Sequence, residues 1–282
     1  MTTAGRVLLA ASGAGAARAL LAAAGTEPSD SKPAGTGRWL ERTNYRGQPV
    51  NLIGGPVLAL VASVSAYAGA PRTRLARSAL LLGLAAGTIG AYDDVAGQRA
   101  GQRTDKGIAG HLAALRDGRL SAGSVKTVGL GTAALIAARA VAVRPADRLV
   151  SAGLIAGAAN LLNLFDLRPG RALKVALLAG LPLLGAPAGA ILAGPLGAAT
   201  AILPADLGEQ TMLGDAGASS LGALLGLALA AGTGRTGRRV ALAGIVGLTA
   251  ASERVSFTAV IERTGPLRAV DELGRHRPPH GG

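Results

Sequence analysis

Leu149-Val150-Ser151-Ala152-Gly153-Leu154-Ile155-Ala156-Gly157-Ala158-Ala159-Asn160-Leu161-Leu162-Asn163-Leu164-Phe165-Asp166 runs without a single charge until it closes on an aspartate. As a helix rising 1.5 Å per residue it reaches about 25 Å, close to the ~30 Å hydrocarbon core of a bilayer. Its apolar residues form a block rather than a stripe at period 3.6, so no face is left for water. Comparable blocks cover 50–68, 78–91 and 220–231. Several reach the 17–25 residues of a crossing only with their small flanking residues included.

The composition agrees with this. The 282 residues are 49% hydrophobic and 16% charged, with a mean hydropathy of +0.39; a soluble domain is usually about a quarter charged. Forty-three glycines weaken a soluble helix, but small faces let membrane helices approach closely. Ala218, Gly222 and Gly226, four residues apart, make such a face. The net charge of +13 does not point to nucleic acid, because no basic stripe is interleaved with aromatics. The arginines lie between apolar blocks, where anionic headgroups account for them. With no cysteine, disulfides and thiolate-bound metals are excluded. Residues 3–24 read as a membrane helix rather than a signal peptide, since a long polar loop follows.

The expected organisation is one all-α, polytopic membrane domain over residues 1–282 with about nine helices. They are expected near 3–24, 50–69, 77–91, 124–142, 149–165, 172–185, 188–203, 217–232 and 238–253. Residues 172–203 would be too long for one crossing, and Pro182, Pro187, Pro195, Gly185 and Gly189 favour a hairpin of two short helices. The loops 25–48, 92–123, 163–174 and 204–216 and the tail 254–282 each follow an odd-numbered helix and so share one face. That face carries 17 Lys and Arg against 8 on the other. The richer face should be cytoplasmic, with the N-terminus outside.

Four polar stretches on that face carry residues suited to chemistry. Gly90-Ala91-Tyr92-Asp93-Asp94 puts paired carboxylates at a membrane boundary, where ionisation is costly unless a cation or donors balance it. Mg²⁺ bound through one or two carboxylates and substrate phosphates suits them; a helix end emerging into water is the plainer reading. Leu213-Gly214-Asp215-Ala216-Gly217-Ala218 opens the eighth block, where Asp215 would cap a helix or meet a metal. No cation lies between Pro204 and Gly217, so Asp215 is expected to lack a protein partner. Asn163 and Asp166 end the fifth block, where asparagine also serves simply to pair helices. Arg46, in Tyr45-Arg46-Gly47-Gln48-Pro49-Val50-Asn51-Leu52-Ile53-Gly54-Gly55-Pro56, could meet a phosphate, and the glycines permit close backbone approach.

In order and spacing, over about 40–225, these four stretches resemble the polyprenyl-phosphate N-acetylhexosamine-1-phosphate transferases. The resemblance implies a multi-pass cell-membrane enzyme for envelope polymer synthesis, with its active site facing the cytoplasm. It would move a sugar 1-phosphate from a nucleotide-linked sugar to a polyprenyl phosphate, with Mg²⁺ as cofactor. Asp93, Asp94 and Asp215 would be catalytic, with Asp94 and Asp215 on the metal. Arg46, Lys106, Asn163 and Asp166 would bind substrate. Membrane lipid and a second copy of the chain are the further implied partners. The chain departs from the family at Asp166-Leu167-Arg168-Pro169-Gly170, where a second aspartate is replaced by Pro169, and it lacks the family's His-rich loop before the last helix. A catalytically altered relative that binds lipid-linked precursors or scaffolds envelope synthesis is the alternative. A transporter is disfavoured, because the carboxylates gather at one face rather than the midplane.

The absence of native cysteine makes topology directly testable. A single cysteine at Gln210 is expected to resist an impermeant thiol reagent in intact cells, whereas one at Thr236 labels. Equal labelling at both would refute the parity argument.

Overall fold

Prolines and glycines set the helix ends. Pro145 opens one helix in its first turn, after Arg144 in an extended conformation. Gly170, in the left-handed region at φ 73°, turns the chain between two others. The computed structural model describes residues 1–25, 40–96 and 122–275. Within them the chain forms α1 (Thr3–Ala23), β1 (Glu41–Thr43), β2 (Pro49–Asn51), α2 (Gly54–Gly69), α3 (Thr73–Ala96), α4 (Ala122–Ala138), α5 (Pro145–Phe165), α6 (Arg171–Leu183), α7 (Ala193–Leu207, after a 3₁₀ turn over Gly189–Leu192), α8 (Gly214–Gly232), α9 (Arg235–Ser252), α10 (Phe257–Arg263) and α11 (Gly265–Glu272).

Five helical stretches are long and apolar enough to cross a membrane: Thr3–Ala23, Thr73–Ala96, Pro145–Phe165, Gly189–Leu207 and Gly214–Gly232. The pair Arg235–Ser252 and Phe257–Arg263, bent by 91°, makes a sixth if counted as one span. The protein is thus an all-α bundle with the helices of a polytopic membrane protein. Helices occupy all nine expected places, but three are shorter than a full crossing. α2 has 16 residues, α4 has 17 and α6 only 13, and 13 residues span about 20 Å.

α8 is the hub. Some 78% of its apolar window is enclosed, against 17% for α1 on the outside. The small face anticipated at Ala218, Gly222 and Gly226 packs on α5. A Cβ on Gly222 would stand 2.7 Å from Ala158 O, and one on Gly226 2.7 Å from Ile155 Cα. On another side Gly90 of α3 lies so close that an added Cβ would be 2.2 Å from Asp215 O. In this way glycine sets the distance between backbones in three layers, α5–α8–α3.

The structure corrects four boundaries. Residues 25–48 and the start of 50–69, expected as loop and helix, contain the β1–β2 hairpin, pairing Glu41 with Asn51 and Thr43 with Pro49. Asn44 closes its turn by accepting at Oδ1 from Arg46 N and Gln48 N, both at 2.9 Å. α3 continues to Ala96, so Asp93 and Asp94 lie in its last turn rather than in a loop. α7 reaches Leu207, shortening the expected 204–216 loop. Part of the expected tail is folded as α10 and α11, because Arg171 binds it to the bundle. Lys106, His276 and His280 lie outside the described residues.

Gly90→Val is expected to lower the thermal unfolding temperature in detergent, at an overpacking cost of about 1–3 kcal/mol. Gly131→Ala, where nothing lies within 4 Å of the new methyl, should leave it unchanged or raise it slightly. Equal effects would refute the α3–α8 contact.

Candidate functional site

α8 begins inside the protein, so its first backbone N–H groups need an acceptor there. Asp94, 4% exposed on the last turn of α3, provides it. Its Oδ1 accepts from Asp215 N and its Oδ2 from Ala216 N, each at 3.1 Å. The cap is therefore Asp94, contributed by another helix, and not Asp215. Arg42 of β1 stands 3.6 Å from Asp94. Residues 121 apart in sequence are thus in direct contact.

Asp215 has a protein cation after all. Lys126, on α4, lies with Nζ 2.5 Å from Asp215 Oδ2 and 3.1 Å from Asp93 Oδ2. Asn163 Nδ2 donates to Asp215 Oδ1 at 2.7 Å, and its own buried Oδ1 has no donor among the described residues. The partner of Asp215 comes from 89 residues away, beyond the 204–217 window. Lys126 was missed by reading the acidic motifs alone. Its signal was present: it is the only charge in the apolar helix α4, and an intramembrane cation marks a site.

Asp166 follows α5 directly and faces the backbone N–H of Gly214 at the start of α8. The residue is half-buried and lines a cleft. Burial first, then the charges of Asp206, Asp215 and Asp94, push its pKa well above the carboxylate range against the Gly214 hydrogen bond. Asp206 of α7, also missed, accepts at 2.6 Å from Gly170 N, so it braces the loop that carries Asp166. Arg46 lies apart from this cluster, with Nε 3.3 Å from Glu209 and 2.6 Å from Tyr45 Oη. Asn44 also donates to Glu209. Arg168 stacks 4.2 Å over the Tyr45 ring. A narrow cleft between them is bounded by Tyr45, Asp166, Arg168, Pro169 and Glu209.

The folded tail holds the other side of the 166–170 loop. Arg171 grips Asp271 of α11 through two hydrogen bonds of 2.7 and 3.0 Å and donates to Thr258 at 2.8 Å. Lys174 donates to Asp271 O at 2.7 Å. Arg275 reaches Asp271 at 3.1 Å and Pro169 O at 3.3 Å. The rings of Phe165 and Phe257 stack 4.9 Å apart.

The donor set suits a divalent cation in charge and chemistry. Asp93, Asp94, Asp166 and Asp215 face the cations Lys126 and Arg42, and the orphaned amide oxygen of Asn163 adds a hard neutral donor. Among the described residues, no three His, Cys, Asp or Glu side chains stand in range of a common ion. In this arrangement the ammonium of Lys126 bridges Asp93 and Asp215 instead.

Two outcomes follow. Lys126→Met leaves Asp93 and Asp215 without their shared cation, and breaking such a buried pair costs about 3–5 kcal/mol. An unaltered unfolding temperature would show that the pair is solvated. Burial favours a raised pKa for Asp271, but hydrogen bonds from Arg171 and the charges of Arg171 and Arg275 outweigh it and hold it low. Its contribution is therefore present above the ordinary carboxylate pKa and lost as pH falls through the lowered one. At neutral pH, Asp271→Asn should raise the rate of tryptic cleavage at Arg263 and Arg268, which lie in the short helices that the pair holds. Unchanged cleavage would refute the clamp.

No family model matches the chain, and no curated protein matches it.

Proposed function

We propose that the protein transfers a sugar 1-phosphate from a nucleotide-linked sugar to a polyprenyl phosphate, as an Mg²⁺-dependent member of the family its motifs resemble. The observation that carries this reading is the meeting of Asp93, Asp94, Asn163, Asp166 and Asp215, from three helix ends, at one end of the bundle. Asp94 and Asp215 would hold Mg²⁺, with Asn163 beside them. The ion would supply neutralisation of the donor's phosphate charge, the main requirement of phosphoryl transfer. The chain's own part is positioning. Asp94 ties α3 to α8, Asn163 orients Asp215, and Lys126 adds a cation for phosphate oxygens. The donor would lie beside Asp166, with Pro169 in place of a base-reading carboxylate. Proline offers neither a side-chain acceptor nor a backbone donor, so donors other than UDP-sugars should be tolerated.

Nine crossings with this end in the cytoplasm is part of the same reading, supported by loop parity and the charge excess. A second reading draws on the Lys126 bridge between Asp93 and Asp215. In it, the protein is a catalytically altered relative whose internal cation replaces the metal, and it binds lipid-linked precursors without turning them over.

Incubating purified protein with undecaprenyl phosphate, Mg²⁺ and a panel of nucleotide sugars should release a nucleoside monophosphate. Asp94→Asn and Asp215→Asn should each lower the rate about 100-fold or more, and a chelator should abolish it. Asp147→Asn, a residue paired with Arg235 instead, should keep the activity. No release from any donor would defeat the transferase reading and leave the binding one.

A further inference from the structure

The end of the bundle opposite the carboxylates carries its own constellation. Arg74 and Arg77 sit in the first turns of α3, about 30 Å from Asp94 along the helix. Both are exposed, and no hydrogen bond or ion pair is made by either among the described residues. They stand at the mouth of a groove between α3 and α4 of about 420 Å³, floored by apolar side chains including Leu81, Ala85, Ala133 and Ile136. A second cavity, of about 640 Å³, shares Arg74 and adds Arg72 and Arg139. Asp147, the acid near this end, is already paired with Arg235 at 3.0 Å.

Two features select the ligand. From Arg74 to Ala85 the groove follows eleven residues of helix, about 16 Å, which is roughly half of a ~30 Å hydrocarbon core and so one leaflet deep. Its charge is confined to the outer end. A free phosphate would need only the arginines, and a neutral lipid only the groove; both together fit a chain with an anionic head. Guanidinium groups suit phosphate oxygens through paired donors.

We propose that the α3–α4 groove is a binding site for an anionic glycerophospholipid, with its phosphate on Arg74 and Arg77 and one acyl chain lying along the groove. Arg72 and Arg139 face the remainder of the headgroup in the adjoining cavity. The site is separate from the carboxylate cluster and does not depend on the transferase reading.

The test is native mass spectrometry of the full chain in detergent micelles carrying dioleoylphosphatidylglycerol or dioleoylphosphatidylcholine. The native chain should retain the glycerol lipid in preference to the choline lipid. A direct charge-assisted hydrogen bond to phosphate contributes roughly tenfold or more, so Arg74→Gln with Arg77→Gln should weaken retention at least tenfold. Arg144→Gln with Arg239→Gln removes the same charge outside the groove and should leave retention unchanged. Millimolar glycerol 3-phosphate, a head without a chain, should not displace the lipid. Equal loss in both double variants would mean diffuse attraction by a basic surface and overturn the site. Displacement by glycerol 3-phosphate, or equal retention of both lipids by the native chain, would overturn it as well.

Discussion

A helix that starts inside a bilayer-sized bundle must find acceptors for N–H groups that water does not reach, and in this protein that demand organises everything near the carboxylates. Asp94 meets it with both oxygens, reaching from the end of α3 to the start of α8. The positive end of the α8 dipole faces this carboxylate, and Arg42 stands beside it. The contact requires α3 and α8 to lie almost backbone to backbone, which Gly90 allows. Once the two ends are joined, Asp93 and Asp215 are close enough to share Lys126. Asn163 and Asp166 then complete the cluster from α5.

Among the described residues the cluster is electrostatically unfinished. There, four carboxylates face Lys126 and Arg42, Asp166 is driven toward its protonated form by burial and then by its neighbours, and Asn163 keeps an acceptor without a donor. A folded chain tolerates such a deficit at low dielectric where something else completes the balance. The proposed Mg²⁺ and the donor's phosphates are one completion. The Lys126 bridge is another, and the contrast between them separates the two functional readings.

The loop carrying Asp166 is restrained from two directions. Asp206 holds it at Gly170, and the α10–α11 segment holds it through Arg171, Lys174 and Arg275. The two short helices of the 257–272 segment lie beside the 166–170 segment through the Phe165–Phe257 stack and a buried Arg–Asp pair. That pair costs desolvation and returns geometry. It fixes where Pro169 and Arg168 stand relative to Tyr45.

Apolar block length, proline and glycine positions, and the absence of cysteine were sufficient by themselves to determine the helical class. They also determined nine helix positions, the break within 172–203 and the small face of α8, because each depends on local propensity and on burial in an apolar surrounding. The acidic residues were legible for a related reason, since charges beside apolar blocks are rare and stand out. Their partners were not. Lys126 and Asp206 read as isolated charges, the β1–β2 hairpin is too short to show a period, and the 254–275 segment looked like tail until Arg171 gave it a counter-charge. Which carboxylate caps α8 was decided only by tertiary structure, because Asp94 and Asp215 are 121 residues apart. Periodicity records which face of a helix is buried, but not which distant side chain reaches across to satisfy its end.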